Sequence, residues 1–418
     1  MKKLTSMLCA VLMAAVALTG CGDSDSSTAE SKADGIDKAA ADSKSAEPAE
    51  DENADPDNGS AEPDTKPEKK TYDKPVLADN SVEFAKNMGL GWNLGNTLDA
   101  TGAGLESEIS WGQPMTTEEL IDFVRDSGFT TIRIPVSWGN HVDDDYNIDA
   151  EWMARVTEIV DWAEDAGLYI IINSHHDCDK YFPTEEHYEE SERYIKAIWA
   201  QIAENFKDYD EQLIFESMNE PRLMGTNKEW WFNSDDEEGL ESIRVISKLN
   251  QVFVDTVRAA GGKNETRFLM VPSNAANAYN AMSEAFTFPT DTVDSRIILS
   301  VHAYTPYDFT MNYAGGTDKW GPRSKAGLSF ISDLDKTFVQ NGIGVVIGEF
   351  GATNKDNLDA RVAWATDYCT MTKEAGIACV LWDNGGTKAG DENFGMIDRN
   401  NFEIYYPELL NAMLECYK

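Results

Sequence analysis

The feature that most constrains this chain of 418 residues is a rhythm. From about residue 85 onward, short apolar runs alternate with longer segments of helical period. The runs read MGLGWNLGNTLD, TTIRIPVSW, YIIINSHHD, LIFESMNEP, RFLMVPSNAAN, IILSVHAYTP, GVVIGEFGA and ACVLWDNGG. Continuous aliphatic and β-branched stretches of this length fit strands covered on both faces, as a parallel sheet requires. Between them lie TTEELIDFVRDSGF, DAEWMARVTEIVDWAEDAGL, HYEESERYIKAIWAQIAENF, SIRVISKLNQVFVDTVRAAGG, SKAGLSFISDLDKTFVQNG and LDARVAWATDYCTMTKEAGI. Each carries apolar residues three and four apart, and several stop at glycine. AMSEAF supplies a shorter helix after the fifth run, and YPELLNAMLECY closes the series. The alternation predicts an α/β fold, a single (β/α)8 TIM barrel over residues 75–418, with a doubly wound open sheet as the alternative.

In a parallel barrel the active site gathers at the C-terminal ends of the strands, so the residues that end each run are the informative ones. The second run carries Arg133, the third ends in Asn173, His175, His176 and Asp177, and the fourth in Asn219 and Glu220. The sixth contributes His302 and Tyr304, the seventh Glu349 and the eighth Trp382. Glu220 and Glu349 therefore stand on opposite sides of the barrel mouth. Two carboxylates across a sugar ring are what glycoside hydrolysis needs, one to protonate the leaving oxygen and one to attack or to activate water. Arg133 and the histidines supply charge and hydrogen bonds that keep one glutamate ionised, while pairing and desolvation leave the other protonated.

Neighbouring positions on a strand point to opposite faces, which assigns His175 to the site and leaves His176 between site and packing. His141 and His187 fall in loop or helical segments and read as solvated. Of eleven tryptophans, Trp152, Trp162, Trp199 and Trp364 lie in helical stretches and read as packing residues. Trp111, Trp138, Trp230, Trp231 and Trp320 follow strands or lie in loops on the expected active face, with Trp138 the foremost candidate to stack on a pyranose.

Two other classes fit part of the pattern. A barrel metallohydrolase would use His175, His176, Asp177, His302 and Glu349 as ligands, although two ligands from one strand normally sit two residues apart. A non-catalytic polysaccharide- or solute-binding lipoprotein would leave the two glutamates unexplained.

The motifs GWNLGNTLDA, TIRIPVSW, IINSHHD, SMNEPR, VHAYTP, VVIGEFGA and VLWDNG, in this order, resemble glycoside hydrolase family 5 across nearly all of 80–418. The opening and the His-His-Asp end of the third run are most similar to its subfamily 4, of endo-β-1,4-glucanases and xyloglucanases. The resemblance implies a retaining endo-β-1,4-glucanase acting on β-glucan without metal or organic cofactor, with Glu220 as acid/base and Glu349 as nucleophile. It further implies that Asn219 binds the sugar 2-hydroxyl and that Arg133 and Tyr304 hold and tune the nucleophile. His175 and His302 would line the subsite of the cleaved sugar, Trp382 would form its stacking floor, and Asn93 would contact substrate. Many relatives carry Trp just past the His-His-acid motif, where this chain has Cys178.

Lys2 and Lys3 precede a mostly apolar stretch from Leu4 to Leu18, too short to span a bilayer, which reads as an export signal over 1–20. Leu18-Thr19-Gly20-Cys21 resembles the bacterial lipobox and makes Cys21 the expected lipid anchor of a cell-surface lipoprotein. Residues 21–74 are dominated by Ala, Ser, Asp, Glu, Pro and Gly, a composition that cannot bury enough apolar surface to offset ordering and reads as a disordered acidic linker. A net charge of -39 excludes nucleic acid as a partner and suits a neutral polymer approached by a monomeric enzyme. The spacing of Cys178, Cys369, Cys379 and Cys416 matches neither a zinc pattern nor a dense disulfide framework.

Overall fold

The apolar runs become the parallel strands β1 (Leu90–Asn93), β2 (Thr131–Ile134), β3 (Tyr169–Asn173), β4 (Leu213–Glu216), β5 (Leu269–Pro272), β6 (Ile297–His302), β7 (Gly344–Phe350) and β8 (Ala378–Leu381). They pair in chain order and close, β8 returning to β1, so the barrel and not the open sheet is formed. This computed structural model describes residues 70–418, and the expected leader, Cys21 and most of the 21–74 linker lie outside the described residues. Lys70 pairs with Asp126 at 2.6 Å, Tyr72 packs on the core, and the Asp73 carbonyl lies so close to Gly167 (φ 66°) that a Cβ there would clash at 2.3 Å. Residues 70–74 are thus a strap along the pole where the strands begin, a pole also plugged by the helix Ser81–Met88.

Strand alternation sorts the barrel into two surfaces. Ile170, Ile172, Leu213, Phe215, Leu269, Val271, Leu299 and Ile347 face outward into the large helix-covered core. Tyr169, Ile171, Ile214, Met270, Ile298, Val346 and Val380 face inward and, with Phe84 and Met88, form a separate apolar plug. One step further along each strand the same inward face turns polar: Asn93, Arg133, Asn173, Glu216 and Ser300 are all buried. The barrel interior is therefore oil at one pole and a charged layer at the other.

Helices follow most strands as the periodicity predicts, including Glu118–Asp126, Ala150–Asp165, Tyr188–Asn205, Glu237–Ala259 and Leu358–Glu374. Several carry side-chain N-caps: Thr117 accepts from Leu120 N, Asp149 from Glu151 N and Trp152 N, and Asp236 from Gly239 N. After β5 the helix is a single turn at Ala278–Ala281, starting before AMSEAF because Asn277 caps it there. Among the described residues all four cysteines are free, and no helix is long and apolar enough to cross a membrane.

Candidate active site

Arg133 organises the polar layer. Its Nε donates to Glu216 Oε2 at 2.8 Å, Nη1 to Asn93 Oδ1 and Glu349 Oε1 at 2.9 Å each, and Nη2 to Asn219 Oδ1 at 2.6 Å. A charge without water contact is tolerable only when its donors are met, and here every guanidinium nitrogen has a partner. Glu216 is in turn held by Asn173 Nδ2 at 3.0 Å and by the Ser300 hydroxyl. Gly348 leaves room for this layer, since a Cβ there would stand 3.2 Å from His302 Nε2 and 3.6 Å from Arg133 Nε.

Glu349 belongs to β7, where the ladder slips. His302 pairs with Glu349 across a register shift, and β8 loses step between Ile347 and Phe350. The irregularity aims the carboxylate into the mouth, where Tyr304 donates to Oε2 at 2.8 Å. Glu220 sits four residues beyond β4, and backbone bonds extend the ladder to reach it: Ser217 N to Met270 O at 3.0 Å and Asn219 N to Ser174 O at 2.9 Å. His302 Nδ1 lies 2.8 Å from Glu220 Oε1 and 3.6 Å from Glu349 Oε1. One imidazole thus stands between both carboxylates.

Burial pushes Glu349 up, Glu220 adding to the rise while the charges of His302 and Arg133 oppose it. Glu220 moves the other way: burial would raise it, but the His302 hydrogen bond and the charges of His302 and Arg222 bring it below the usual glutamate range. His302 is raised, burial being outweighed by Glu349 and Glu220. This reverses the expected ordering, and the cause is the short Glu220–His302 contact. Glu220, His302 and Glu349 lie close enough together to titrate as one coupled set. Burial holds His175 well below the ordinary histidine range and His176 at about 4, leaving both neutral.

The remaining expected residues divide. Asn219, His175, His302, Tyr304 and Trp382 are brought together with the two glutamates: the Trp382 ring lies parallel to His175 at 5.7 Å, with Gly95 against its edge. His176 joins them, because β3 ends at Asn173 and the loop turns both imidazoles to within 4.5 Å of each other, against Trp111 at 5.4 Å. Asn93 and Arg133 are wholly buried in the layer beneath the mouth, Arg133 bonded to both Glu349 and Asn219. Trp138 is a correction: it is 0% exposed, and its indole N–H donates to Asn173 O at 2.8 Å, making it a core residue with no face for a sugar. Trp320 is likewise spent on Asp367 at 2.8 Å, and His141 is buried against Trp152. Asp177 accepts from Trp138 N, Gly139 N and Ser174 Oγ, which removes it from the alternative metal set. Two smaller groups do bring ligand atoms within 4.8 Å of one another, Asp99 with His175 and His176, and Glu220 with His302 and Glu349.

Two residues of the layer, Glu216 and Ser300, and one buried acid beside the mouth, Asp383, were not singled out in the sequence. The last accepts from Trp92 Nε1 at 2.8 Å and from Met396 N and Ile397 N at 3.0 Å each, bracing the loop that carries Trp382. Inward parity with Arg133 was the available signal for Glu216 and Ser300.

Two acidic groups converging on one space in the mouth of a (β/α)8 barrel define a barrel hydrolase of the two-carboxylate kind. The model of the cellulase family, glycosyl hydrolase family 5, matches residues 97–388, and the chain belongs to that family. It is 44% identical over 344 residues to endoglucanase A of Ruminococcus albus, covering 80% of this chain and 92% of that protein. Among solved structures it is similar to a family 5 lichenase from Caldicellulosiruptor sp. F32, with 42% identity, TM-score 0.79 and coverage of 84% of this chain and 98% of that one. It is also similar to a subfamily 4 broad-specificity endoglucanase from Ruminococcus champanellensis with bound cellotriose, with 41% identity, TM-score 0.76 and coverage of 81% and 99%.

Proposed function

We propose that this glycoside hydrolase is a retaining endo-β-1,4-glucanase of subfamily 4, cleaving internal bonds of β-glucans by double displacement. The observation that carries the reading is the convergence of the acids: one carboxylate oxygen of Glu220 and one of Glu349 lie within 4.8 Å of each other, and His302 Nδ1 stands 2.8 Å from Glu220 Oε1 and 3.6 Å from Glu349 Oε1. Retaining pairs stand about 5–5.5 Å apart and inverting pairs about 6.5–9.5 Å, because only the latter must admit a water between carboxylate and sugar.

Glu349 attacks the anomeric carbon as Glu220 protonates the departing glycosidic oxygen. In the second half Glu220 takes a proton from water as the water oxygen attacks the anomeric carbon, which breaks the bond to Glu349 and releases the sugar. His302 Nδ1, 2.8 Å from Glu220 Oε1, holds that carboxyl in place through both half-reactions. Arg133 fixes the Asn219 amide by its oxygen, leaving the NH2 as donor to the sugar 2-hydroxyl. Trp382, stacked with His175, offers the apolar floor. Mixed-linkage glucan, xyloglucan and mannan are the alternative polymers for the same centre, chosen by the loops around it.

Proton NMR of the first product tests the mechanism: the β-anomer appears first, and an initial α-anomer would mean inversion. Cellulose, lichenan, xyloglucan and mannan assayed side by side rank the substrates. We also propose that the enzyme is exported, anchored through lipid on Cys21 and monomeric. Cys21→Ala should move it out of the membrane fraction with activity intact, and unchanged membrane association would refute the anchor. Light scattering tests the monomer.

A further inference from the structure

The loop that follows Glu220 presents two large aromatic faces to solvent, Trp230 at 56% and Trp231 at 69% exposure. An indole left this open loses the benefit of burial, so its retention on a loop rim points to a ligand face. Trp230 is not loose. Its ring lies over the guanidinium of Arg222, whose Cζ is 4.2 Å from the ring centroid. Arg222 is held from the other side: Nε donates to Glu229 Oε1 at 3.0 Å, and Nη1 donates to the Glu220 carbonyl at 3.0 Å and lies 3.5 Å from Cys178 Sγ. Glu229 also accepts from Gly225 N at 3.0 Å, and Lys228 pairs with Asp236 and Glu238, so the loop is fastened to itself.

We propose that Arg222 is a positioning residue that joins the acid/base Glu220 to a platform at Trp230 for the sugar of the departing chain. The inference rests on the reading of Glu220 as acid/base. The group that protonates the leaving oxygen must sit beside the leaving sugar, and the loop continuing from Glu220 is therefore the natural wall of that side. One guanidinium does two things. Its plane carries the inner face of Trp230 and turns the outer face toward solvent, and its charge stands 3.9 Å from Glu220 Oε2, too long for a hydrogen bond but close enough to act through space. Cys178 completes the fit. Its thiol, 4% exposed, lies 3.5 Å from both Arg222 Nη1 and the Glu220 carbonyl oxygen.

The other groups facing Glu220 are His302, His176, Glu349, Tyr304 and Cys178. Among them Arg222 is the cation that reaches both carboxyl and platform. Its charge favours the ionised carboxyl, so removing it raises the proton affinity of the Glu220–His302 pair, and the basic limb of kcat/KM moves to higher pH.

The test separates the two jobs with Arg222→Met, Arg222→Lys and Trp230→Ala, each checked for an unchanged melting profile, on cellopentaose and on a nitrophenyl cellobioside whose leaving group carries no sugar. Trp230→Ala should keep the wild-type basic limb and lower the cellopentaose-to-aryl ratio of kcat/KM roughly fivefold to tenfold, mostly through KM. Arg222→Met should lower that ratio by a similar factor and also shift the basic limb upward. Arg222→Lys should restore the limb without restoring the ratio, because an ammonium keeps the charge but not the flat stacking surface. A folded Arg222→Met enzyme with the wild-type limb, or with the wild-type ratio, overturns the inference. Should Arg222→Met fail to fold, a shifted limb in Trp230→Ala or a wild-type ratio in Arg222→Lys overturns it instead. Glu220→Gln keeps the premise separate: if the basic limb on cellopentaose survives that change, Glu220 is not the acid/base, whereas loss of the limb there with no shift in Arg222→Met defeats the Arg222 role alone.

Discussion

The two glutamates of the mouth are held in different ways. Glu349 is part of β7, locked by Arg133 on one oxygen and Tyr304 on the other, and it inherits the rigidity of the barrel. Glu220 hangs beyond β4 on the segment Ser217–Asn219, with one imidazole on its carboxylate and a guanidinium near it. The lesson is about tasks. A nucleophile must meet one carbon in one geometry, which suits a strand, while an acid that becomes a base between half-reactions must change its proton, which suits a titratable neighbour.

The comparison breaks most visibly at Glu349. Glu349→Gln removes the group common to both half-reactions, so activity on polymer and on nitrophenyl cellobioside should fall together, on the order of 10⁵-fold or more, as when covalent nucleophiles are removed elsewhere. Glu220→Gln should cost about 10²–10⁴-fold on polymer and far less on the activated aryl substrate, whose departure needs no proton. Equal losses on the two substrates would erase the division of roles.

Arg133→Met sharpens the β7 side. It removes a charge that lowers Glu349, so the carboxylate titrates at higher pH. Since activity disappears as pH falls through that titration, the acid limb should move upward. It also strands Glu216, buried at 0% exposure, and should cost about 3–5 kcal/mol of stability in a denaturant titration. A folded variant with an unmoved acid limb would leave Arg133 a purely structural residue. The smallest effect separates two tryptophans that look alike in the sequence: Trp382→Ala should lower kcat/KM about tenfold with little change in stability, whereas Trp138→Phe should lower stability and leave KM unchanged. Melting curves beside kinetics decide it.

The sequence made the barrel legible because parallel strands covered on both faces leave unbroken apolar runs, and every such run became a strand. The mouth was legible because polar residues that interrupt the ends of those runs have little other reason to be there. Trp138 misled because position after a strand says nothing of which way a ring turns: its indole points back to the Asn173 carbonyl and not outward. Glu216 stands alone as an acid within an apolar run, and only its inward parity with Arg133, two strands away, hints at the ion pair they form. His176 could not be placed by strand parity because β3 stops before it. The reversed proton ordering depends on a His302 contact from across the barrel, which no local pattern announces.

The strap at residues 70–74 sets a direction. It runs along the oily pole, with Lys70 on Asp126 and the Asp73 carbonyl against Gly167, while the charged mouth opens at the opposite pole. A chain pulled or fixed by its amino-terminal side is therefore gripped like a cup by its base, rim outward. A bulky polymer strand could cross the rim from any side without meeting the point of attachment. Immobilising the enzyme on a flat support through that side should preserve its rate on long glucans, and fixing it through Lys228 on the rim should abolish that rate while short aryl substrates still enter.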